Sequence, residues 1–131
     1  MNKFLFIGQP RSGKNNMMIA PRTGHHYPNP LFAKWSAEQI LRIKQQKGRP
    51  GIMFTQNTPV LSFSVEYWPG DARKRDMPGI MDAIFHVLER AEIVQDDAYF
   101  KNCLGWIEHP IDRLSPRLEI SIGVTNFEKV I

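Results

Sequence analysis

The sequence predicts an α+β domain: a mixed β-sheet with two main helices packed on one face. Three observations carry that expectation. Two segments alternate apolar and polar residues, two others repeat apolar residues at helical spacing, and a helix falls between strands twice along the chain. At 131 residues, with 42% hydrophobic and 23% charged side chains, the chain suits one domain over residues 1–131. That length is enough to bury most of its apolar surface.

The first strand is expected over Lys3–Ile7, ending at Gly8 and Pro10. A loop rich in Gly, Pro, Asn and basic residues then runs to about Pro28. Asn29 before Pro30 reads as a helix N-cap followed by the first helical residue. Phe32, Trp35, Gln39, Ile40 and Ile43 recur at helical spacing until Gly48 and Pro50 close that helix. In VLSFSVEYW, Leu61, Phe63, Val65 and Tyr67 alternate with Ser62, Ser64 and Glu66, the pattern of a half-buried strand. Pro69 and Gly70 stop it. A second helix, from near Pro78 to about Arg90, carries Ile80, Ile84, Val87, Leu88 and Ala91 as its apolar stripe. Final strands are expected over Tyr99–Ile107 and in RLEISIGV, where Leu118, Ile120, Ile122 and Val124 alternate with polar or small residues.

Composition narrows the function classes. No apolar run approaches the roughly 20 residues that span a bilayer, and FLFI is too short for a signal peptide. The single cysteine, Cys103, forms no internal disulfide, which fits a reducing cytoplasm, and it reads as a small core residue. The formal charge is +4 from 17 basic and 13 acidic residues, with a pI near 9.4. This mild basic excess suits nucleic acid. The cations group locally as Arg73, Lys74 and Arg75, and as Arg11, Lys14 and Arg22.

The stretch FLFIGQPRSGKNN spells most of a phosphate-binding P-loop through Gly8, Gly13 and Lys14. A working P-loop needs Ser or Thr after the lysine and a helix directly beyond it. Here Asn15 follows, and Pro21 and Gly24 break the segment. No nucleotide cofactor is expected, and the loop is expected to present its cations to something acidic.

The informative segment is ARKRDMPGIMDAIFHVLERAEIVQDD. A basic cluster precedes Asp76, a helix carries Asp82 and His86 four residues apart on one face, and Asp96 and Asp97 follow. Clustered carboxylates repel one another and are tolerated where a hard cation neutralises them. The same spacing also fits a solvated helix face with Asp76 as partner of the helix dipole. His86 stays open between general base, metal neighbour and bystander.

These residues resemble the RusA family of Holliday junction resolvases, dimeric Mg²⁺-dependent endonucleases found widely in phages and prophages. The likeness covers nearly the whole chain. FLFIGQPRSGKNN resembles the family's opening strand and its P-x-S-x-N-x loop, NPLFAKWSAEQILRI the next helix, and PVLSFSVEYWP the strand leading to the site. RKRD with DAIFHVLERAEIVQDDAYF is similar to the core motif, and RLEISI to the last strand. The family pattern is Asp-x-Asp-Asn, a Lys one turn on, a later Asp, and an Asp-Asp pair beyond the helix. Asp76 matches the first Asp, and Asp97 the second member of the pair, the catalytic one in the family. Pro78 stands at the second Asp, Gly79 at the Asn, Asp82 at the Lys and His86 at the later Asp.

The resemblance implies a RusA-like homodimer that resolves four-way DNA junctions and other branched DNA in recombination and repair, leaving 5′-phosphate and 3′-hydroxyl ends. It implies Mg²⁺ or Mn²⁺ held by Asp76, Asp82 and Asp97, with Asp82 replacing the missing ligand one turn on. Asp96 and His86 would be auxiliary groups, and Arg11, Lys14, Arg73, Lys74 and Arg75 would contact phosphates. The same substitutions leave a second expectation, a RusA-like protein that binds branched DNA without cutting it. No membrane partner is expected in either case.

Overall fold

The computed structural model describes residues 2–11, 17–19, 21–28, 30–55, 61–73 and 76–124. Along the chain run β1 (Asn2–Ile7), β2 (Met17–Ile19), β3 (His26–Pro28), α1 (Pro30–Lys47), β4 (Leu61–Trp68), α2 (Met77–Arg90), β5 (Phe100–Glu108) and β6 (Arg117–Val124). A 3-10 turn over Asp97–Tyr99 leads into β5.

The alternating segments become the middle of a four-stranded sheet of order β1-β6-β4-β5. β6 is antiparallel to both β1 and β4, whereas β4 and β5 are parallel and α2 is the crossover between them. Parallel neighbours need such a crossover because a tight turn can only reverse the chain. Phe4 and Val65 both lie opposite Ile120, so one apolar row crosses three strands. Phe4, Phe6, Leu61, Phe63, Val65, Tyr67, Leu118, Ile120 and Ile122 are all buried. They cluster with Ile80, Ile84, Val87 and Leu88 of α2 and with Trp35 and Ile43 of α1. This is the single core that the alternation and the helical stripes call for.

β1 lies at one edge of the sheet, and α1 closes it in an unusual way. Gln39 Oε1 accepts from the Ile7 N–H at 2.9 Å, while its Nε2 donates to the Ile7 carbonyl at 2.7 Å. Two turns on, Gln46 makes the same pair of bonds to Leu5, each at 2.8 Å. The two amides stand in for a missing neighbour strand, satisfying backbone groups that an edge leaves open.

Three details depart from the sequence expectations. The first loop holds a small antiparallel ribbon, in which β2 pairs with β3 from Met17 opposite Pro28 to Ile19 opposite His26. Strands of three residues are too short to reveal an alternating pattern, and the punctuation read as breaks is the turn between them. Ahead of β4 an isolated bridge joins Phe54 to Val94, a contact that the sequence expectations did not include. Cys103 is exposed, not in the core. It sits on the outermost strand, whose pairing with β4 shifts register twice, so only part of β5 faces inward. No helix among the described residues is long and apolar enough to cross a membrane.

Candidate functional site

α2 sets the positions of most candidate residues. Asp76 is its N-cap residue, with an exposed carboxylate that makes no capping hydrogen bond. Its carbonyl accepts from the Ile80 N–H at 3.0 Å. Pro78 stands in the first turn, where a missing N–H costs nothing. Ile80, Ala83, Ile84, Val87 and Leu88 are buried, so the opposite side of α2 carries Asp82, His86 and Glu89. Their spacing of four and three residues puts all three on one face, each half-buried.

His86 lies against Phe32 of α1, with ring centroids 5.4 Å apart. Burial, and next the positive charge of Arg90, hold its pKa below the usual 6.5, while Glu89 acts in the opposite sense. The unfolded chain therefore takes up this proton first. The consequence is a loss of stability as pH falls below about 6.5, with no contribution from His86 above it. Asp112, held low by Arg117, acts in the same direction but only in the carboxylate range below 3.8. Between pH 7 and pH 5 the melting temperature should therefore fall more in the native protein than in a His86→Gln variant, as measured by circular dichroism at both pH values. Equal falls in the two proteins would count against a depressed His86.

At the C-terminal end of α2 the acidic groups converge. The Asp97 N–H donates to Glu89 Oε1 at 2.6 Å, and Asp96 Oδ1 accepts from the Ala98 N–H at 2.9 Å. One carboxylate oxygen from each of Glu89, Asp96 and Asp97 lies within 4.8 Å of the others. Ligand oxygens around Mg²⁺ at 2.0–2.1 Å are about 3–4 Å apart, so a small contraction would suit the trio to a hard cation. The chemistry of the donors, all carboxylate oxygen, also fits Mg²⁺ or Mn²⁺ over a softer metal.

Asp76 is not part of this cluster. Thirteen residues of helix, roughly 20 Å at 1.5 Å each, separate it from Glu89. The parallel pairing says the same: Asp76 follows the C-terminal end of β4, whereas Asp97 precedes the N-terminal end of β5, where Leu61 lies opposite Phe100. Asp82 stands midway along the helix. Of the acids that the sequence groups together, the structure thus unites Asp96 and Asp97, keeps Asp82 on the same helix face as their neighbour Glu89, and holds Asp76 at the other end. Glu89 itself went unrecognised in the sequence, although its place seven residues after Asp82 was a readable signal.

Two of the candidate cations, Arg11 and Arg73, lie at the Asp76 end. Gln9 hydrogen-bonds to the Tyr67 hydroxyl and accepts from the Gly70 N–H at 2.7 Å, and the Gly8 N–H donates to the Pro116 carbonyl at 2.9 Å. These bonds fasten the end of β1 beside the end of β4, so exposed Arg11 emerges at the same end of the sheet as exposed Arg73. Lys14, Lys74 and Arg75 lie outside the described residues. A cleft of about 600 Å³ opens here, lined by Asp71, Ala72, Arg73, Glu108 and His109 among others. His109 reaches Glu66 at 3.1 Å and stacks on Trp68 with centroids 4.1 Å apart. The Arg117 guanidinium covers the Trp68 ring at 4.1 Å and bonds Asp112 at 3.0 Å. Compared with known protein families and with curated proteins, the chain matches none.

Proposed function

We propose that this chain is a divalent-metal-dependent endonuclease acting on branched DNA, the four-way junction above all. The observation that carries the reading is the carboxylate trio of Glu89, Asp96 and Asp97. It contains the very acid that the sequence likeness to RusA resolvases marks as catalytic. A Mg²⁺ or Mn²⁺ ion held there would lower the pKa of a coordinated water and offset charge on a phosphate. Arg11 and Arg73, with Lys14, Lys74 and Arg75, would bind the DNA backbone, a contribution that weakens steeply with salt.

Asp76 and Asp97 lie at opposite ends of α2, so a ligand set containing both would have to draw them from two copies. This accords with the two active sites that paired cuts across a junction demand. The second reading is a protein that keeps the DNA-binding surface without the cutting. It is favoured by Pro78, which spends a motif position on starting α2, and by Asp82, an acid where the motif has a lysine.

The test is a synthetic four-way junction incubated with the protein in Mg²⁺, in Mn²⁺ and in EDTA. Paired nicks that require metal are expected. Tight junction binding with no nicks under either metal would overturn the nuclease reading in favour of the binder.

A further inference from the structure

The loop joining β5 to β6 has to cross the end of β4, which lies between them in the sheet. It does so as a fastened arch. The His109 and Asp112 N–H groups donate to the Tyr67 and Pro69 carbonyls at 2.7 and 2.8 Å, and the Pro116 carbonyl accepts from the Gly8 N–H. Asp112 Oδ1 accepts from the Leu114 and Ser115 N–H groups at 3.2 and 3.1 Å, while its Oδ2 takes the Arg117 guanidinium. Pro110 and Pro116 stiffen the two feet. At the top of this arch Leu114 is 99% exposed. The other exposed large apolar side chains among the described residues show 42–64% of their surface and rest the remainder on neighbours. Leu114 rests on nothing. Loop tips are usually small, polar and poorly ordered; this one holds a bare leucine in a fixed position.

We propose that Leu114 is a wedge that enters the base stack of DNA at a branch point, and that the β5–β6 loop thereby distinguishes a junction from plain duplex. Charge points to a polyanion as the occupant. Arg113 adjoins the leucine and Arg117 stands at the β6 foot of the loop. Arg11 follows Gln9, whose bonds to Tyr67 and Gly70 pin the neighbouring end of β1. The one acid within the loop, Asp112, is neutralised by Arg117 at 3.0 Å. Asp71 and Glu108 line the cleft with His109 and Pro110, at the β5 foot. An apolar side chain among cations is how proteins part a base step: the cations hold the backbone, and the wedge replaces lost stacking contact. Parting a step is costly in continuous duplex and cheap where a branch has already interrupted the stack. The wedge therefore favours branched DNA without reading any sequence, and its fixed loop loses little ordering entropy on binding. The inference rests on the branched-DNA reading above and names the residue that gives it selectivity, but it does not depend on cutting.

The experiment is equilibrium binding of the full chain in EDTA, where no cleavage intervenes, to a four-way junction and to a linear duplex. Each DNA carries 2-aminopurine, at the branch point or at the matching duplex position. The native protein is expected to prefer the junction and to raise its 2-aminopurine fluorescence as the base unstacks. Leu114→Ser should lower junction affinity about tenfold and abolish the fluorescence rise, with duplex affinity within about twofold of native. The fold should not respond, because the leucine touches nothing. Leu114→Met keeps an apolar wedge and should behave as native. Arg113→Ala should weaken both DNAs alike, since a phosphate contact does not tell them apart. Equal losses on junction and duplex in Leu114→Ser, or no loss with the fluorescence rise intact, would overturn the inference. So would native self-association that Leu114→Ser removes while junction binding stays unchanged, which would assign the tip to a second copy. A junction-selective wedge in a protein that makes no nicks with metal would sink the nuclease reading alone. Metal-dependent nicking by Leu114→Ser with native junction selectivity would sink this one alone, and binding to neither DNA would remove both.

Discussion

Asp97→Asn should abolish junction cleavage while leaving junction binding within about twofold of native. A carboxylate that holds a metal supplies several kcal/mol of charge stabilisation, so replacing it with a neutral amide costs roughly a thousandfold in rate. The fold has little reason to respond. Asp97 holds Glu89 through its backbone N–H, which the substitution keeps, and its side chain is exposed. Cleavage is read from single-turnover nicking of a labelled junction, and binding from gel shifts in EDTA. A variant that cuts at the native rate would show that the acidic cluster is a solvated turn.

The same substitution permits a sharper test of how the acids assemble. If the chain dimerises as proposed, mixing Asp97→Asn with Asp76→Asn yields hybrid dimers. If each site draws Asp76 from one copy and Asp97 from the other, one site of every hybrid is intact and nicking returns. If each chain builds its own site, every site stays defective and the mixture remains inactive. Recovery would place the acids across an interface, and no recovery would return attention to the Glu89 trio within one chain.

The second large effect is on stability. Gln39→Leu should lower stability by roughly 2–5 kcal/mol, because it removes the bonds to both the N–H and the carbonyl of Ile7 and sets an apolar side chain against them. Gln39 is 1% exposed, so its loss cannot be repaired by simple hydration. For a chain of this size that corresponds to a fall of roughly 10 °C in the melting temperature. Gln46→Leu removes the same two kinds of bond, but Gln46 is exposed and water can replace its amide. About 1 kcal/mol or less is expected there. Thermal unfolding of the two variants checks the contrast, and equal losses would mean that the β1 edge is uniformly wet.

Much of the fold was legible in order along the chain. The alternation of Leu61 to Tyr67 and of Leu118 to Val124 marks two central strands because a half-buried strand must send every second side chain inward. The stripe from Ile80 to Ala91 marks α2 because 3.6 residues per turn bring those positions to one side. β5 was harder to bound. As an edge strand with register shifts it buries only part of its length, so its pattern is weak and Cys103 misled as a core residue.

The candidate site was legible in its residue types but not in its arrangement. Motif spacing named Asp76, Asp82, Asp96 and Asp97, yet spacing along a chain does not state which ends of two parallel strands lie together. Gln39 shows the same limit. It fell at a helical apolar position and so read as part of the buried face, but nothing local reveals that its amide completes the β1 ladder 32 residues away.

The sequence by itself therefore determined the main helices and the long strands, their apolar faces, the basic loop and the chemistry of the acids, because periodicity and side-chain type are local properties. Only the tertiary structure decided that Glu89 joins Asp96 and Asp97, that Asp76 stands at the opposite end with Arg11 and Arg73, and that two glutamine amides of α1 close the β1 edge. Those are matters of strand order and crossover direction, set by how distant segments share one core.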